Sequence, residues 1–325
     1  MDELNLIELI KNMDKKLEEK YLNIDNLSKN NLRQLIQKNI GPIISFDKMS
    51  TKALKTITDR GGIFAVDGSS NTYGGNFPHY MDLYQATCLK SIKKEENTIL
   101  VDGYIPLLDE EIDPLIDKDD KNLREKKLAD LEVLAAIEGI NKSVPKILLM
   151  DGSLIRYEIL AKNNWDKLKD ICLERNIMIA GIIEDIKTSI IYTLLKESNE
   201  INFETIFYDR EILFNLLDYG EAIIIEDLNR GKSKYGLNSS FIRSSKSPTV
   251  IGVDVLEEQY KNLGDMISLI LSITDENSRG IPLLMDLVDE QTRISDSMIK
   301  ELLKTHMDVK FYEKLFNAQR YKRGF

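Results

Sequence analysis

Apolar positions along this chain follow two rhythms. Through residues 1–58 they recur every three to four, as in LNLIELIKNMDKKL and NNLRQLIQKNI, the spacing of amphipathic helices, until Gly41-Pro42 interrupts them. From residue 59 onward, short unbroken apolar runs alternate with longer helical stretches. IFAVD (63–67) and KILLMD (146–151) read as buried strands, and YMDLYQATCLKSI with NTILVDGYIPLL flank a turn at Glu95-Glu96-Asn97 and predict a hairpin. KNLREKKLADLEVLAAIEGI predicts a helix. NIMIAGIIED and EAIIIED predict two more strands, separated by helices around 186–198 and 209–219. The stretch NRGKSKYGLNSSFIRSSKSPTVIG is polar and basic and reads as a loop or β-excursion. DVLEEQYKNLGDMISLILSI and PLLMDLVDEQTRISDSMIKELLK predict closing helices, the second opened by Pro282 at a favoured first-turn position. Strands alternating with helices after a hairpin indicate an α/β fold built on a mixed sheet.

Composition narrows this picture. With 42% hydrophobic and 30% charged residues among 325, the chain has a globular composition with enough apolar surface for one large domain or two ordinary ones. No apolar run approaches the roughly 18 residues of a membrane span. The acid-containing N-terminus MDELNLIELIKNMDKKLEEK does not resemble a signal peptide. Cys88 and Cys172 stand far apart without metal-ligand spacing, which makes a reducing, cytoplasmic setting the expectation. His79 and His306 leave little for a histidine-based metal site or a Ser-His-Asp triad. The net charge of −10 argues against a generally nucleic-acid-coating surface, although a local basic patch or a cation-recruiting acidic site escapes that argument.

The candidate chemistry lies where two apolar runs reach an aspartate. In IFAVDGSS and KILLMDGSL, Asp67 and Asp151 each follow a buried run and precede Gly-Ser. A lone Asp-Gly-Ser is ordinarily a turn. Two of them, each where a strand is expected to emerge from the core, place carboxylates where α/β sheets hold their functional crevices. If the strands are neighbours, the carboxylates converge and repel unless a cation separates them, and hard divalent ions such as Mg²⁺ or Mn²⁺ suit such oxygen ligands. A third ligand is expected from the intervening helix, where Glu138 falls within the stripe of Leu131, Leu134 and Ala135 and Glu132 lies at its edge. A fourth is expected from the last helix, where Asp286, Asp289, Glu290 and Arg293 share a polar face.

The order of these motifs resembles the NurA family of DNA-repair nucleases. FAVDGSS matches its first motif and LLMDGSL its second. The LE of ADLEVLAA matches its helical glutamate, and IPLLMDLVDEQ matches its C-terminal proline-containing helix, with Asp289 where a histidine is common and Ile281 where an aromatic often stands. The resemblance spans roughly residues 60 to 300. It implies an RNase H-like mixed β-sheet flanked by helices over 59–325, with a helical N-terminal region over 1–58 that packs on or dimerises the core and a C-terminal helical and loop elaboration. It also implies catalytic, metal-binding roles for Asp67, Glu132, Asp151 and Asp289, with Glu138 the alternative to Glu132, around two ions of Mn²⁺ or Mg²⁺. Two metals about 3.5–4 Å apart prepare water and face the leaving oxygen of a phosphodiester.

A path for DNA is expected along Arg230, Lys232, Lys234, Arg243 and Lys246, with Tyr235 and Phe241 interleaved, and Lys187 lies near a family site lysine. The tail AQRYKRGF is a further candidate for phosphate or partner binding, and Leu6, Leu9, Ile10 and Met13 form a helix stripe suited to either contact or core packing. What the resemblance implies beyond these residues is a 5′ to 3′ exonuclease with single-strand endonuclease action. Such an enzyme works as a homodimer with a HerA-type hexameric helicase in DNA end resection. Two other classes compete: an actin- or sugar-kinase-like ATPase, which also opens on a strand, an aspartate and a glycine-rich turn, and a non-catalytic helicase adaptor of the same fold. No Walker A motif is present.

Overall fold

The computed structural model describes residues 3–25, 27–75, 77–92, 97–109, 120–201, 205–226 and 231–316. Arg230, the Glu95-Glu96 part of the expected turn and the tail from 318 to 325 lie outside the described residues. Among the described residues nine strands form one sheet: β1 (Ile43–Ser45), β2 (Ile63–Gly74), β3 (Tyr80–Lys90), β4 (Thr98–Tyr104), β5 (Ile147–Asp151), β6 (Met178–Ile183), β7 (Glu221–Ile224), β8 (Leu237–Ile242) and β9 (Ile251–Leu256). Their order is β1-β7-β8-β9-β6-β5-β2-β3-β4.

At the heart of the sheet, β2, β3 and β4 form an antiparallel meander, and β5 and β6 join parallel to β2 on its other side. This is the RNase H-like arrangement, here widened by β9, β8, β7 and β1, which continue antiparallel. The unbroken apolar runs IFAV, ILLM and MIAGII follow from this position, because strands inside such a sheet bury both faces. The hairpin of β3 and β4 forms as the alternation predicts.

Helices cover both faces. Against one lie α9 (Leu263–Ile273) and α10 (Leu283–Thr292), whose Met266, Ile270, Met285 and Val288 pack with Ala65, Leu149 and Ala180 of the strands. Against the other lie α4 (Asp120–Lys142) and α6 (Lys162–Glu174), packing Ala129, Val133 and Trp165 on Phe64, Val66 and Leu148. A third core forms where α2 (Lys29–Asn39) sets Leu32 and Ile36 against α7 (Ile190–Glu197) and β7. The N-terminal region is therefore not purely helical: after α2 it supplies β1, an edge strand of the main sheet. By contrast α1 (Glu3–Asp25) reaches the body through Tyr21 and Lys20, which meet Glu211 and Phe207, while Leu6, Leu9, Ile10 and Met13 stay exposed.

Three segments differ from the periodic reading. TVIGVDVL is strand up to Leu256, so the helix expected from Asp254 begins only at Leu263; the β-branched alternation there outweighs the helical spacing that follows. The last expected helix divides at residues 293–295, because Ser295 caps a new helix, α11 (Asp296–His306), by accepting from the Met298 N–H. The helix near 209–219 shortens to α8 (Asp209–Leu213). Within α4, Glu138 is exposed whereas Glu132 is buried, since a helix covered by both sheet and α6 buries a wider arc than one stripe.

α4 runs unbroken through Gly139. A Cβ at Gly139 would stand 2.5 Å from the Cys88 Sγ, so the glycine lets helix and sheet approach closely. Gly139→Ala is expected to lower the melting temperature even though alanine favours an exposed helix by about 1 kcal/mol. Cys88→Ala in the same chain should recover part of the loss. A melting temperature that rises in Gly139→Ala alone would contradict this packing.

Candidate active site

The two Asp-Gly-Ser motifs adopt different local structures. β2 does not end at Asp67: it continues through Gly68 to Gly74, paired with β3 along its length. Gly68 serves another purpose, since a Cβ there would fall 2.4 Å from the Glu132 Oε1. The second motif does end its strand. Gly152 has φ +78, a left-handed conformation that favours glycine, and Ser153 takes the N-cap position of α5 (Leu154–Leu160).

Parallel pairing brings the two aspartates together. Val66 lies opposite Met150 in the register, so one step further Asp67 stands beside Asp151, on strands roughly 4.8 Å apart. Asp67 is buried, 7% exposed. Its Oδ1 accepts the Gly68 N–H at 2.7 Å, and no cationic side chain meets it among the described residues. Burial, then the charges of Asp151 and Glu132, push its carboxyl up to about 8. Asp151, more open to solvent at the strand end, is raised to about 6 by desolvation and by Glu132, against the opposing pull of Arg156. Asp289, on α10, adds a smaller repulsion at both carboxyls.

Glu132 is held differently. Arg156 forms a two-pronged bond to it, Nη1 to Oε2 at 2.7 Å and Nη2 to Oε1 at 3.0 Å. The Tyr157 hydroxyl lies 2.6 Å from Oε2 of Glu132 and 2.8 Å from the Asp151 carbonyl, sharing one proton between two acceptors. Neither Arg156 nor Tyr157 figures among the sequence candidates, although both follow the second motif directly in DGSLIRY. Asp289 is half-exposed, 3.5 Å from Arg293 just past the end of its helix. Its helix is fastened over the sheet by Arg279, which bonds Glu184 just past β6 at 3.0 Å and Asp286 at 2.7 Å. Among the described residues no three acidic, histidine or cysteine side chains converge closely enough to hold an ion as they stand. The four carboxylates thus feel one another's charge without closing into a cage. Asp67 and Asp151 are its unneutralised pair, and their hard oxygens and mutual repulsion fit a divalent cation; Glu132 fits only on release from Arg156.

The chain belongs to the NurA domain family. The family's domain matches residues 61–294 of the 325, from the start of β2 to the end of α10. A NurA-domain chain is by family a nuclease. No curated protein matches it. Among solved structures it is similar to human endonuclease V, at 14% identity and TM-score 0.41, covering 84% of this chain and 98% of that one. The Ciona intestinalis endonuclease V bound to inosine-containing DNA is 12% identical at TM-score 0.37, with 86% and 96% covered. Aquifex aeolicus Argonaute is 12% identical at TM-score 0.30, covering 72% and 28%. At these scores the likenesses carry no weight for the site.

The expected basic strip divides. Lys232 bonds both oxygens of the fully buried Asp254 at 2.7 Å, Arg243 donates to the carbonyls of Leu217, Lys246 and Ser247, and Phe241 is core. These three hold the NurA domain together and are unavailable to a ligand. Lys246 pairs with Glu276 at 3.1 Å, while Lys187, Lys234 and Tyr235 are exposed. Asp254 went unrecognised because its strand reads as a helix start, yet it also accepts Ser153 Oγ at 2.6 Å and the Leu154 N–H at 3.1 Å. It thereby fixes the turn that aims Asp151. The strand's passage through Gly68 also removes the glycine-rich turn that an actin-like phosphate site needs after Asp67.

Because folding raises the Asp67 carboxyl, the native state binds more protons than the unfolded one between pH of about 4 and about 8. Its stability is therefore lost as pH climbs through that window, by on the order of a few kcal/mol. Thermal unfolding in a chelator is expected to show a melting temperature falling across this range, with most of the fall absent from Asp67→Asn. An identical fall in the variant would place the effect elsewhere.

Proposed function

We propose that this NurA-domain chain is a metal-dependent deoxyribonuclease that acts on DNA ends and single strands, with Mn²⁺ or Mg²⁺ held by Asp67 and Asp151. The observation that carries the reading is the pair of carboxylates on adjacent parallel strands, with Asp67 raised to about 8 by burial and by the charges of Asp151 and Glu132, and Asp151 raised to about 6 by desolvation and the charge of Glu132. Nothing but a cation relieves that repulsion while leaving both groups ionised at neutral pH. A bound divalent ion, or two, would supply an activated water and charge relief on the scissile phosphate.

The chain's own residues have defined tasks. Asp67 and Asp151 are first ligands on rigid strands. Glu132, buried and oriented by Arg156 and Tyr157, sets the negative potential behind them and stands ready as a further ligand. Asp289, held over the open side by the Arg279 fastening, is the fourth. Lys187 lies just beyond β6, exposed and only loosely paired with Asp185 at 3.9 Å, within reach of a phosphate. Family membership supports the finer expectations: 5′ to 3′ exonuclease action, single-strand endonuclease action, and a HerA-type hexameric helicase partner in end resection of double-strand breaks. The exposed stripe of Leu6, Leu9, Ile10 and Met13 along α1 supports a homodimer.

The test is incubation with linear duplex and single-stranded DNA in Mn²⁺, Mg²⁺ or EDTA. Cleavage is expected with either metal and not in EDTA, and Asp67→Ala and Asp151→Ala should each lower it by about a thousandfold. Cleavage that survives in EDTA or in both variants would overturn the assignment.

A further inference from the structure

A groove of about 560 Å³ lies at the far end of β2 from the acids. Its walls are Tyr73 of β2, Lys300 and Lys304 of α11, and Tyr312 and Phe316 of α12 (Val309–Phe316). The two lysines stand four residues apart, so they share one helix face. Both are exposed and form no ion pair with any described residue. The rings make a fixed wall opposite them: Tyr73 meets Phe316 edge-on at 5.1 Å between centroids, Tyr312 meets Phe316 at 5.5 Å, and the two tyrosine hydroxyls lie 2.7 Å apart.

The groove and the active site lie along a single strand face. Side chains two apart on a strand share a face, which puts Asp67, Ser69, Asn71 and Tyr73 in one row. Six residues at about 3.3 Å each separate Asp67 from Tyr73 by roughly 20 Å. Between them the junction of α10 and α11 is pinned to the row. The Asn71 amide donates to the Ile294 carbonyl at 2.9 Å and to Asp296 at 2.7 Å. Arg293, exposed at that junction, adds a cation between the acids and the lysines. The carboxylate lining the groove, Asp296, is turned onto Asn71, so the lysines dominate the potential above it.

We propose that this groove binds the flank of a single DNA strand whose scissile phosphate lies at Asp67 and Asp151. The chemistry fits that occupant: two flexible ammonium groups neutralise phosphates, an aromatic wall stacks bases of any identity, and no array of side-chain amides is present to read base edges. The span of roughly 20 Å corresponds to at most about six nucleotides of stacked strand at 3.4 Å per phosphate, fewer if the strand is extended. The proposal rests on the nuclease reading for its register, but its test does not depend on cleavage.

Binding of fluorescein-labelled oligothymidylates of about four and about twelve nucleotides is measured by anisotropy on the full chain in EDTA. The wild-type protein is expected to bind the longer oligomer at least about tenfold more tightly, and Lys300→Gln with Lys304→Gln should abolish that length step. The double variant should also reduce the slope of log affinity against log salt by about 1.4, two phosphates at about 0.7 each. Lys300→Arg with Lys304→Arg should retain both. An unchanged length step and slope in the glutamine variant would overturn the proposal. So would competition by polyglutamate as effective as that by DNA, which would mark the groove as a site for an acidic protein segment. If the wild type shows the length step yet cleaves no DNA in Mn²⁺, the groove stands and the nuclease reading falls. If it cleaves without the length step, the reverse holds.

Discussion

Backbone hydrogen bonds between two parallel strands hold two carboxylates side by side against their repulsion. The register of β2 on β5 allows Asp67 no retreat, because sliding either strand by one residue would exchange its two apolar rows between the two packed faces and misfit both cores. The charge conflict is thus imposed by the most strongly buried part of the molecule. Much of what surrounds it follows from that conflict. Glu132 is restrained by Arg156 and Tyr157 so that it does not collapse onto the pair, and Arg279 fixes α10 so that Asp289 faces it from across the sheet edge.

The supporting layer is as specific as the acids. Asp254 is fully buried and gathers Lys232, Ser239, Ser153 and the Leu154 N–H. It joins β9, the short helical turn at Gly231–Tyr235 and the loop behind Asp151 into one polar knot. A buried ion pair of this kind adds little net stability, but breaking one side leaves an uncompensated charge, so its geometry is strongly enforced. Glycine has two different duties in the paired motifs: Gly68 yields space to Glu132 while remaining in a strand, and Gly152 supplies a left-handed turn.

Much of this was legible in the residues. Apolar runs ending in aspartate identified β2 and β5, the hairpin alternation identified β3 and β4, and the shared motif singled out Asp67 and Asp151, whose adjacency follows from the pairing of β2 with β5. Other features were hidden for physical reasons. IGVDVL reads as a helix start only if Asp254 is assumed to need solvent, and Lys232, from before β8, removes that need. Lys232 and Arg243 look like a surface strip in one dimension, but their partners are distant in sequence or are backbone carbonyls, which periodicity does not register. The choice between Glu132 and Glu138 depended on how wide an arc of α4 is covered, and that is a property of the packed sheet and α6. The commitment of Glu132 to Arg156 depends on α5 folding back toward α4.

The central claim is that Asp67 and Asp151 are held together for a divalent cation. A crystal of the protein soaked in Mn²⁺, with data collected at the manganese absorption edge, tests it directly. The account predicts an anomalous peak within ligand distance of both carboxylates, about 2.2 Å from their oxygens. Absence of any peak there, with the two carboxyls instead joined by a shared proton in the presence of saturating Mn²⁺, would contradict it.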